Sequence, residues 1–157
     1  MRMHTNWRTP AIILGMWWVL AVTQAVAAGV SPQDLFQAAA QIKVAAKDVR
    51  ELAHRLEGIR PNPTIIDAAL AKVRTLSTKI QNAKAVIIRR MQELSGKTHV
   101  WLPNEFKQID QILDQLPFLL TTDRNLSATC DALHTLNSHL KWLHGEALYF
   151  ARSAPRQ

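Results

Sequence analysis

The side chains best suited to chemistry in this 157-residue sequence are six histidines and a single cysteine, gathered mostly toward the C-terminus. Cys130 and His134 stand four residues apart, the spacing that puts two side chains on one helical face, and His139 and His144 follow. Metal or haem ligation is the chemistry such a set suggests. Neither the C-x-x-C-H haem-attachment signal nor the H-E-x-x-H zinc signature occurs, however. On a helical wheel Cys130 and His144 flank the apolar stripe, while His134 and His54 point outward. Tetrahedral or axial ligation needs ligands that converge from facing helices. No Ser/His/Asp or Cys/His constellation stands above chance, and there is no glycine-rich phosphate loop. The expectation is a protein with no catalytic residues, no metal site and no cofactor.

The elements that would position any of these groups are helices. Ser31-Pro32-Gln33-Asp34 supplies an N-cap serine, a first-turn proline and a first-turn carboxylate. Leu35, Ala38, Ile42, Ala45, Val49, Leu52 and Leu56 then recur at alternating spacings of three and four, as far as Gly58. After Pro61-Asn62-Pro63 a second stripe runs Ile66, Ala69, Val73, Leu76, Ile80, Ala83 and Ile87, with Leu94 before Gly96. This helix, Pro63 to Ser95, is the longest, roughly 50 Å at 1.5 Å per residue. A third stripe, Phe106, Ile109, Leu113, Leu116 and Leu120, keeps phase across Pro117, where a kink or early stop is expected. The fourth runs Leu126, Leu133, Leu136, Leu140, Leu143, Ala147 and Phe150.

Nothing reads as strand. Four amphipathic helices joined by short connections imply an all-α, up-down-up-down four-helix bundle with a short third helix. The alternative is a long hairpin of the first two helices that oligomerises. The short third helix leaves roughly 15 Å of groove at one end, which His99 to Pro103 is placed to cover. Only Arg90 in the second helix and Thr129 in the fourth interrupt the inward apolar positions. The interior therefore reads as dry, with Arg90 snorkelling toward the helix end and Thr129 bonding its preceding turn.

The N-terminus carries an address. Arg2 and Arg8 precede the unbroken apolar run Ala11 to Val22, and Ala25 and Ala27 form an A-x-A exit. That is the pattern of a secretory signal peptide over residues 1–27, leaving a single domain over 28–157 that is exported and, with one cysteine and no disulfide framework, periplasmic or secreted. An uncleaved signal anchor is the alternative, and the membrane enters in no other way. Cys130 reads as a packed thiol or, alternatively, one half of an intermolecular disulfide. Without the leader the net charge falls from +7 to +5.

What remains is surface. The second helix carries Lys72, Arg74, Lys79, Lys84, Arg89 and Arg90 against Asp67 and Glu93, a basic face for an envelope protein or an anionic surface. Nucleic acid is not expected, because no aromatics interleave with these bases. Trp142 and Tyr149, seven apart on one outer stripe, form a second candidate surface with Trp101. These features point to a non-enzymatic adaptor, accessory subunit or chaperone-like binder, with a homo-oligomer left open. The other class is a small-ligand, haem or metal carrier that uses the groove beside the third helix.

Overall fold

The structure is a computed structural model that describes residues 29–94 and 102–153. The expected signal peptide over 1–27, Trp101 with residues 95–100, and residues 154–157 lie outside the described residues. Four helices follow in order: α1 (Pro32–Leu56), α2 (Pro63–Glu93), α3 (Leu102–Thr121) and α4 (Leu126–Ser153).

Three of the helices begin where the chain supplies partners for the orphan N–H groups of the first turn. At α1 the Asp34 N–H donates to Ser31 Oγ at 3.1 Å while the Ser31 N–H donates to Asp34 Oδ2 at 3.0 Å, a reciprocal capping box behind Pro32. At α2 the Ile65 N–H donates to Asn62 Oδ1 at 2.9 Å, again with proline next. At α4 Asn125 Oδ1 accepts from the Ala128 N–H at 3.0 Å, and Thr129 Oγ1 donates to the Asn125 carbonyl at 2.8 Å. Between α1 and α2, Gly58 takes φ +70°, the left-handed conformation that glycine enters without steric cost and that ends the helix.

Pro117 does not stop α3, which runs four residues further, to Thr121. Its missing N–H costs one intrahelical bond close to the helix end, where few bonds remain to be lost. Leu116 and Leu120 on either side are buried and hold the turn in place.

At 20 residues α3 is the shortest helix, against 25, 31 and 28 for α1, α2 and α4. α1 packs on α2 and α4, and α3 packs on the same two, so consecutive helices close into the up-down-up-down bundle. The apolar faces of α1 and α2 are thus covered within the chain, by α3 and α4, and not by the second copy that an oligomerising hairpin requires. Every stripe residue read from the sequence is buried except Leu94, which is partly so. No described helix is long and apolar enough to cross a membrane.

The most extensive contact joins α1 to α4. Beside the main stripe α1 carries a heptad line of alanines, Ala39, Ala46 and Ala53, each under a tenth exposed. The matching heptad line on α4 is Cys130, Asn137, His144 and Ala151. The Cys130 thiol donates to the Ala53 carbonyl at 3.5 Å and His134 lies against Glu57, which fixes the antiparallel register. Small residues let the helix axes approach.

The interior is less dry than the sequence implies. Thr129 bonds its preceding turn as expected, but Lys84 and Asn137 are buried as well. Both sit one position beside the apolar stripe, on its flank, where a neighbouring helix covers them.

Candidate functional site

The six basic residues of the second helix do not form one surface. Lys72 and Lys79 both turn to α1, placing their ammonium groups 3.1 and 3.4 Å from Asp48 Oδ2. Burial works to raise the Asp48 pKa, but hydrogen bonds and charge from the two lysines outweigh it and hold the carboxyl below its usual value. A carboxylate depressed on folding stabilises the fold above its unfolded pKa, and that contribution is lost as pH falls through the folded pKa. Asp48→Asn should therefore lower stability at neutral pH and flatten the acid limb of the stability profile below about pH 4, measured by urea unfolding across pH.

Lys84 corrects the surface assignment outright. It is 6% exposed, pairs with the Asp110 carboxylate of α3, and sets its ammonium 5.9 Å from the Phe106 ring centre. Gln81 donates to the same carboxylate at 2.7 Å. This is a tie between α2 and α3. Lys84 lies four residues after Ile80 and three before Ile87, which carries it under α3. Asp110→Asn leaves a buried ammonium with a weaker partner and should cost about 1–3 kcal/mol, less than for a fully enclosed pair because Asp110 is 42% exposed. Lys84→Met should stay within about 1 kcal/mol of the parent, because an apolar chain of similar length removes the desolvation cost along with the pair.

Arg74 and Arg89 are exposed, but stand fifteen residues apart, about 22 Å along α2. Arg90 is mostly buried and pairs with Glu93 at 3.1 Å. The aromatic candidates separate too. Trp142 is half-buried against the core, whereas Tyr149 is 55% exposed with its ring edge-on to Phe150 at 6.0 Å.

Cys130 is buried, and burial pushes its thiol pKa up, with the Glu57 and Asp131 charges adding in the same direction. It should react with a thiol reagent at least ten times more slowly in the native chain than in denaturant; equal rates would contradict this placement. His54 and His134, scattered on the wheel, meet across the α1/α4 seam on one carboxylate. His54 Nδ1 lies 3.2 Å from Glu57 Oε2 and His134 Nε2 lies 3.0 Å from Oε1. These hydrogen bonds hold the Glu57 pKa below its ordinary value. His139 goes elsewhere, to Glu105 of α3 at 2.5 Å. Among the described residues no group of three such side chains is positioned to hold a metal ion.

Four other cations, three on α1 and one on α4, converge on one seam. A groove of about 500 Å³ runs along the outer α1/α4 seam. Ala46 and Asn137 are its buried lining; Lys43, Lys47 and Arg50, with the half-exposed Val44, stand on the α1 side, and Lys141 and His144 on the α4 side. No carboxylate and no residue of α3 lines it. Lys43, Arg50 and Lys141 make no ion pair with any described residue, and Lys47 has only the exposed Glu51 at 3.7 Å, a pairing worth little. Asn137 is 8% exposed, and its carboxamide makes no hydrogen bond among the described residues. The signal was present in the sequence as basic residues at i, i+4 and i+7 on α1. It was hidden because Asp34, Asp48 and Glu51 bring the whole helix to a net charge of only +1.

Comparison of the chain with protein-family models, curated proteins and solved structures finds no match.

Proposed function

We propose that this chain is an exported, non-enzymatic helical bundle that works by surface contact, as an adaptor, accessory subunit or chaperone-like binder, and that its contact surface is the cationic α1/α4 groove. One observation carries the reading. The three lysines of α2 pair with Asp48 and Asp110, whereas four Lys and Arg side chains line the largely apolar α1/α4 groove with no carboxylate in its lining. An apolar centre with a charged rim is the anatomy of a protein interface, and like charges held together favour an acidic partner through both steering and complementarity. The groove has no Phe, Tyr or Trp on which bases could stack, which argues for a protein and against single-stranded nucleic acid.

The export half of the reading rests on the leader pattern. N-terminal sequencing of the chain from its native compartment should begin at Ala28 or Gly29. Met1 recovered in the membrane fraction would mean an anchored bundle on the same side, and a full-length cytosolic chain would overturn export. The contact half is tested by chemical cross-linking in that compartment. A specific acidic neighbour is expected, and a chain that stays monomeric and uncross-linked contradicts the reading.

A further inference from the structure

We infer that the occupant of the α1/α4 groove is an acidic amphipathic helix of the partner, and that Asn137 selects a polar side chain within that helix's buried stripe. This rests on the groove being the contact surface. It adds the occupant's conformation and a specificity residue.

Helix is favoured over extended chain by backbone accounting. An extended segment needs a row of free N–H and C=O groups from its host, as a sheet edge supplies. The groove walls are two α-helices whose backbone groups are bonded internally, whereas an incoming helix brings its own bonds already made. A fatty amphiphile fits less well. It would want cations at one end of an enclosed trough, and here they are spread along both rims of an open one, Lys43 to Arg50 alone spanning about 10 Å. A helix with carboxylates flanking a narrow stripe of small apolar residues meets both rims at the same helical pitch.

Asn137 then has a reason to be where it is. Asn137 is 8% exposed and lines the groove, and its carboxamide, hydrogen-bonded to no described residue and not closed off from solvent, has donors and an acceptor to offer. A Gln or Ser at the centre of the incoming stripe satisfies it. A leucine there leaves it desolvated and unpaired, so the host discriminates by the cost of an unmade bond.

The experiment measures binding of fluorescent synthetic 20-residue peptides to the purified chain by anisotropy, with circular dichroism for helicity. One peptide carries glutamates flanking an Ala/Leu stripe with a central Gln; a second has Leu at that centre; a third has the first composition in permuted order. The patterned Gln peptide should bind at least tenfold tighter than the permuted one, gain helicity on binding, and exceed the Leu peptide by about fivefold. Asn137→Leu should abolish or invert that last preference, with Asn137→Ala as the second variant should leucine disturb the seam. Equal affinity for patterned and permuted peptides, binding without helicity, no binding up to millimolar concentration, displacement by dodecanoate, or a Gln/Leu preference unchanged in both variants would overturn the inference. If the peptides fail while the native acidic partner still cross-links from the groove, the contact surface stands and its helical occupant falls; if both fail, so does the contact reading.

Discussion

Truncating Leu140 to alanine is expected to lower the unfolding free energy by about 2–5 kcal/mol, the range for a leucine removed from a core that only partly collapses around the loss. Leu140 is fully buried near the middle of α4, the helix in contact with both α1 and α3. With no disulfide in the described chain, packing carries the fold, and a cavity there weakens two seams at once. A lower urea midpoint with an unchanged m-value would report it. Phe118→Ala supplies the contrast. That ring is 55% exposed on α3, and its removal should change stability by no more than about 0.5 kcal/mol. A small effect at Leu140 would mean that α4 does not pack as described.

The second large effect concerns binding and should leave folding alone. Reversing Lys43 and Lys141 together to glutamate puts one negative charge on each rim of the groove, and affinity for the acidic partner should fall at least tenfold, with a weaker dependence on salt. Both side chains are exposed and neither is paired with a described residue, so the melting temperature should hardly move. Lys72→Glu is expected to behave in the opposite way. It places a carboxylate against Asp48 and destabilises the α1/α2 contact while leaving partner affinity intact. The two variants together separate a binding cation from a structural one on the same small bundle.

The helices were legible because their signals are local. Ser31 with Asp34, Asn62 before Pro63, and apolar residues alternating at three and four each state a boundary or a face within a few residues of themselves. The partner of a charge is not local. Lys84 looks like any other exposed helix lysine until α3 brings Asp110 over it, and Lys72 and Lys79 look free until α1 offers Asp48. Charge summed along the sequence therefore favours α2, although all three of its lysines pair with carboxylates of neighbouring helices. The groove was missed for the converse reason. Acidic residues elsewhere on α1 cancelled Lys43, Lys47 and Arg50 in the sum but not in space. The alanine line at Ala39, Ala46 and Ala53, seven residues apart, was the readable mark of the seam that holds it. On the opposite line of α4, Cys130 and His144 read from sequence only as candidate metal ligands, and Asn137 carries no signal of its own.

The most direct test places a photo-activatable cross-linking residue at Lys141, an exposed residue of the α4 side of the groove, and separately at the exposed Arg74 of α2, in the chain expressed in its own compartment. The residue at 141 should capture one specific acidic neighbour and the residue at 74 should not. Capture from position 74 alone, or none from position 141, would contradict the claim that the α1/α4 groove is the surface through which this bundle acts.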